Sequence, residues 1–427
     1  MRTTTSPTDP LRLEYGDGPD GLRVARQYPP AGAASFSATY VGPAGWGFDP
    51  PGEAGLARLV NHLLTSATGR FDRVALARRL DRAGATLSRD VNPESAEVTI
   101  WGPAEDWEPL LGLLGEVVRT PRFDPDDLAR VRRQFLERQL RERTQPASRA
   151  ELELLRTVFP EGHPYRETGL GDRRSLARLT RGRLRHFHRD HYTSDGGLVV
   201  VTAAAPMRSI SRAVERRFAE LPTSGGPRLA LPSLSPASSK RRTVDLPGRS
   251  QVEVRLGGPS IPQDAPDYPA AYLANQVLGG RPLLARLFQR VREKNGLAYH
   301  ASSHLESMRL GGIWSAQAGT GADRWRQVVP MLEEEVERLR TERVPGRELG
   351  SVRESAIGEI PLALESTADA HGLAVDVAYH ELPADFWLTW PARLRAVTPQ
   401  EVLRAAERAF ERNRSVTVVA GPVGPGG

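Results

Sequence analysis

The chain has 427 residues, 39% apolar and 26% charged, with a formal net charge of +6 and no cysteine. At about 100–200 residues per domain that length predicts more than one domain, and the lack of cysteine excludes disulfides, thiolate nucleophiles and thiolate metal sites. All but two of the 58 basic residues are Arg (the exceptions are Lys240 and Lys294), and they interleave with 52 acids on stretches such as RVRRQFLERQLRER. Such alternation is the pattern of solvated helix faces, so no nucleic-acid partner is expected. No apolar run reaches the roughly 18 residues of a membrane span. MRTTTSPTDP lacks a signal peptide's apolar core. The expected location is cytoplasmic, away from membranes.

In chain order, residues 52–69, GEAGLARLVNHLLTSATG, read as a helix with Leu56, Leu59, Val60, Leu63 and Leu64 on one apolar face. Residues 85–102, ATLSRDVNPESAEVTIWG, read as two strands around Asn92 and Pro93. Residues 105–119, EDWEPLLGLLGEVVR, form an amphipathic helix. A second helix follows, with Asp124 as N-cap and Pro125 at its first position. The half closes with a helix, a loop and an apolar strand at 198–201.

The pattern then recurs with an offset of about 218 residues. DRWRQVVPMLEEEVERLR repeats the first amphipathic helix, RVPGRELGSVRESAIGEI repeats the proline-marked one, and 416–419 repeats the closing strand. A stretch rich in Pro, Ser and Gly lies between the halves. The expected organisation is a flexible N-terminus (1–25), a first domain (26–222), a linker (223–247) and a second, homologous domain (248–427). The fold class is α+β, each domain a mostly antiparallel sheet packed against helices.

Four segments carry a family resemblance. The helix at 52–69 resembles the one that bears the inverted zinc motif, His-x-x-Glu-His, of pitrilysin/insulinase-type metallopeptidases, above all their short, mitochondrial-processing-peptidase-like bacterial branch. FPEGHPYRETGLG (159–171) and HFHRDHYTSDGGLVVVTA, around Tyr192, resemble further family segments. RPLLARLFQRVREKNGLAYHASS (281–303) resembles the family's most specific run. In active members two His at i and i+4 grip zinc, the Glu between them is the base for zinc-bound water, and a distal Glu completes the site.

Here the frame is present and the chemistry is altered. Arg58 stands at the first His position, Asn61 at the Glu position, and only His62 is kept. The nearest distal acid is Glu137, beside Arg138. A guanidinium has no lone pair for a metal, and an amide is no base. The resemblance therefore implies a chain with no catalytic residue or metal of its own. It also implies that Arg292 and Tyr299, seven residues apart, hold the substrate backbone or its oxyanion. The expected function is that of the zinc-less subunit of a heterodimeric peptidase. Zinc would reside in a homologous partner, and the substrate would be a peptide, such as a precursor peptide. The alternative is a catalytically silent binding or scaffold protein of the same fold. His186, His188 and His191 do not share one helix face and read as an exposed helix end, and His163 as a structural loop residue.

Overall fold

The computed structural model describes residues 9–223, 228–234, 240–281 and 283–424. A first sheet comprises β1 (Leu13–Asp17), β2 (Arg23–Gln27), β3 (Ser35–Gly42), β4 (Thr86–Val91), β5 (Ala96–Pro103) and β6 (Leu198–Thr202), in the order β1-β2-β6-β3-β5-β4. A second comprises β7 (Lys240–Asp245), β8 (Gln251–Ser260), β9 (Ala298–Ser307), β10 (Gly312–Gly321) and β11 (Val416–Gly421), in the order β7-β11-β8-β10-β9. Without β1 the two orders correspond strand for strand. Each sheet is antiparallel except at one pair, β2–β6 and β7–β11.

Side-chain patterns explain the strands. β5 alternates buried and half-buried positions, as period two requires when its two faces differ. β6, LVVVT, is buried throughout, as a central strand is. On one face of the first sheet, Ala38, Val98 and Ile100 join Leu59, Leu63 and Leu114 in the core. On the other, Thr39 and Thr99 bond to each other at 2.7 Å. That face is covered by the Thr367–Tyr379 helix, whose His371 lies 2.8 Å from Thr39 Oγ1 through Nε2 and 2.8 Å from Thr202 Oγ1 through Nδ1. The second sheet has a smaller cluster in which Ala150 and Leu154 of the Pro146–Val158 helix pack with Val416 and Val418. Gly257 of β8 lets Leu154 approach closely; a Cβ there would lie 2.9 Å from Leu154 Cδ2.

The compact units differ from the sequence halves. Of the described residues, those within 1–137, 169–230 and 359–389 make up one unit, and those within 138–168, 231–358 and 390–427 the other. The helix after each proline-marked helix is thus placed with the sheet of the opposite half, because its apolar stripe packs there. Two further expectations are corrected. The sequence predicts a flexible stretch over 1–25, yet its described part, from residue 9, contains β1 and the start of β2, anchored by buried Leu13 and by Gln27 Nε2 donating to the Pro10 carbonyl at 2.6 Å. Residues 240–245 of the expected linker form β7, an edge strand that needs only backbone pairing with β11 and leaves charged side chains in solvent. Residues 1–8 of the expected N-terminus, and 224–227 and 235–239 of the expected linker, lie outside the described residues.

Candidate functional site

The motif helix is Leu56–Leu64, shorter than the stretch expected from sequence. It starts at Gly55, whose φ of 98° is left-handed. Asp49 fastens that start by accepting from the Gly55 and Ala57 backbone N–H groups, each at 2.7 Å. Burial pushes the Asp49 carboxyl up to about 7, against these hydrogen bonds.

Each motif residue has a partner other than a metal. Arg58 lies over the Trp46 ring, 4.3 Å from its centroid. Asn61 is buried and donates through Nδ2 to the Glu97 carbonyl at 3.0 Å. The Glu97 carboxyl is itself pushed up to about 7, chiefly by burial and then by Asp90 and Asp376. Beside His62 stands Arg89 of β4, with Nη2 at 3.0 Å from both ring nitrogens and Nη1 donating to Thr65 Oγ1 at 3.1 Å. Burial, then the charge of Arg130, lowers the Arg89 pKa from its ordinary value. Glu137 is exposed on the Pro125–Thr144 helix. The same helix presents Phe135 to His62, edge to face at 5.6 Å between ring centroids.

These residues do not fit a zinc ion. One imidazole is faced by a guanidinium and an apolar ring, and three protein ligands are usual in a catalytic zinc site. Among the described residues no group of three or more His, Asp or Glu side chains is arranged to hold a metal. Sequence reasoning missed Arg89 and Phe135. Neither carries a local signal, because both reach His62 only through tertiary packing.

The second constellation lies in the other unit. Arg292 sits on the Phe288–Lys294 helical segment, exposed, its guanidinium 5.1 Å from the Phe288 ring centroid. Tyr299 is on β9 and 65% exposed, so it is no packed strand aromatic. Arg292 lines a groove of about 660 Å³ whose walls include Tyr268, Tyr272 and Phe288, and Tyr299 is not among its lining residues. The run from His300 to Glu306 on β9, the edge strand of its sheet, also lines it. Seven consecutive residues can line one groove because the groove follows the strand's edge.

His163, His188 and His191 are held by contacts within the first domain's sequence. His188 is buried, with Nε2 2.7 Å from the Val118 carbonyl, and burial lowers its pKa to about 4. His191, also buried, lies 3.1 Å from the Pro43 carbonyl, while exposed His186 pairs with Asp190. The expected exposed helix end is therefore corrected for two of the three. His163 accepts from Tyr165 N at 3.1 Å and stacks on Phe159. No described helix is long and apolar enough to cross a membrane.

Comparison with known proteins places this geometry. The family described as Insulinase (Peptidase family M16) matches residues 23–167, and Peptidase M16 inactive domain matches residues 178–355. An uncharacterised zinc protease of Mycobacterium tuberculosis is 26% identical over 370 residues, covering 85% of this chain and 83% of that protein. One of Streptomyces coelicolor is 24% identical, covering 97% and 92%. The crystal structure of a peptidase M16 inactive domain from Pseudomonas fluorescens is similar with a TM-score of 0.89 and 25% identity, covering 96% of this chain and 98% of that one. With both family descriptions matched along most of its length, a shared two-domain fold and an altered zinc motif, the chain belongs to the insulinase-type M16 peptidase family as a member that lacks the zinc motif.

Proposed function

We propose that this chain is the zinc-less subunit of a two-chain peptidase, paired in the cytoplasm with a homologous zinc-bearing subunit. The observation that carries the proposal is a contrast. The one imidazole left in the zinc motif is faced by the Arg89 guanidinium, whereas Arg292 and Tyr299 are exposed. In this reading the Arg292 fork and the Tyr299 hydroxyl donate to the substrate backbone, or to the oxygen that becomes negative as the peptide bond is attacked. The peptide lies along β9, in the groove that Arg292 lines, and precursor peptides are the substrate class. The bond-breaking chemistry belongs to the partner, with its zinc.

The test is co-expression with a homologue that carries an intact inverted motif. The two chains should co-purify, and peptide cleavage should need both. Cleavage by the homologue alone at the full rate, with no complex by sedimentation, would contradict the proposal.

A further inference from the structure

The groove beside Arg292 is unevenly charged, and its charge is built from beneath. Glu253 of β8 is only 3% exposed, and its Oε1 has no hydrogen-bond partner. Its Oε2 lies 3.4 Å from Nε2 of His300, a half-exposed residue of the groove wall. The His300 ring also lies against Gly319 of β10, where a Cβ would stand 2.3 Å from Cε1. Only glycine leaves room for the ring in that position. Arg255 follows on β8, with Nε 3.8 Å from Glu253 Oε1 and Nη2 3.8 Å from Glu151. Among the described residues Arg292 has no carboxylate ion-pair partner. One buried carboxylate thus serves Arg255 and His300, and the acid that lines the groove, Glu306, stands six residues further along β9 than His300, so Arg292 faces the groove without an ion-pair partner.

We propose that this groove selects peptides that carry an acidic side chain and seats that side chain between Arg292 and His300. The inference rests on the reading of Arg292 as a peptide-holding residue and adds the chemical class of the peptide. The Arg292 guanidinium carries five N–H donors, enough to hold the peptide backbone and one side-chain carboxylate together, and protonated His300 offers a second charge that Glu253 holds in place. The aromatic wall of Tyr268, Tyr272 and Phe288 accepts the apolar neighbours of the acidic residue. The groups facing His300 are Glu253, Arg255 and Arg292. The Glu253 hydrogen bond is the largest influence and raises its pKa above the ordinary value, against burial and the two arginines, which lower it. When His300 loses its proton the groove loses one positive charge, so binding of an acidic peptide weakens as pH rises through that transition.

Fluorescence anisotropy with the full chain tests this. The probes are three labelled extended peptides of Val, Thr and Ser, identical except for a central Glu, Gln or Lys. At about pH 6 the Glu peptide should bind on the order of fivefold more tightly than its Gln twin, and the Lys peptide least. The Glu preference should narrow at about pH 8.5, and His300→Gln should remove that narrowing. Arg292→Ala should weaken all three. Equal affinities for the three peptides, with Arg292→Ala still weakening them, would overturn the acidic selectivity and leave the holding role standing. No binding, or binding indifferent to Arg292, would overturn both. The peptide comparison uses the unaltered chain, so it does not depend on how any variant folds.

Discussion

Arg89 decides what His62 can do. At an effective dielectric of about 20, a divalent cation ~4 Å from a guanidinium is repelled by roughly 8 kcal/mol. The guanidinium already lies 3.0 Å from both imidazole nitrogens. Restoring the motif by Arg58→His with Asn61→Glu should therefore yield protein without stoichiometric zinc as long as Arg89 remains. Elemental analysis after dialysis checks this, and one tightly held zinc per double-variant chain would contradict it. The altered motif was legible because the spacing of Arg58, Asn61 and His62 on one helix is local. Arg89 was not legible: it sits 27 residues beyond His62 in the sequence, on a different element, and nothing in its own neighbourhood marks it. The reading of Arg292 was also local, whereas the Glu253–His300 support joins two strands.

At the scale of elements, the Thr367–Tyr379 helix is tied to the first sheet by a buried polar chain running from Thr99 through Thr39, His371 and Thr202 to Gln27. Burial lowers the His371 pKa to about 3. An unfolded imidazole titrates near 6.5, so below that pH the unfolded chain binds a proton that the folded chain refuses. Stability from this residue is intact above about 6.5 and falls as pH drops, by about 1.4 kcal/mol per unit well below that value. The stability advantage of the native protein over His371→Gln, measured by urea unfolding, should narrow between about pH 7 and about pH 5. Asp49 and Glu97 titrate in both proteins and cancel. A constant difference across that window would contradict the account. A second element-scale contact is Gly279, where a Cβ would lie 2.3 Å from the Ser303 backbone N of β9. Gly279→Ala should cost about 1–3 kcal/mol through overpacking; an unchanged urea midpoint would show that the segment can shift freely. β7 escaped the sequence reading because KRRTVD has no apolar alternation, and an edge strand does not need one.

At the scale of the whole molecule, the sequence repeat is the structural repeat. Five strands of each sheet correspond in order and direction, and the offset of about 218 residues relates β6 to β11. That much was legible because periodic apolar runs reveal which elements exist. They do not reveal which sheet an apolar stripe will meet. For that reason the placement of residues 138–168 and 359–389 in units outside their own halves could not be read in advance. If this chain contributes substrate contacts and no metal chemistry, its variants should show it in the turnover of the proposed two-chain enzyme. Tyr299→Phe and Arg292→Ala should be compared with the unaltered subunit at matched occupancy. Loss of one oxyanion donor typically costs on the order of 10²–10³ in rate, and less where the donor is partly solvated. Tyr299→Phe should lower kcat with assembly intact, and Arg292→Ala should lower both kcat and peptide affinity. Unchanged turnover in both variants would contradict this and leave the chain as a scaffold.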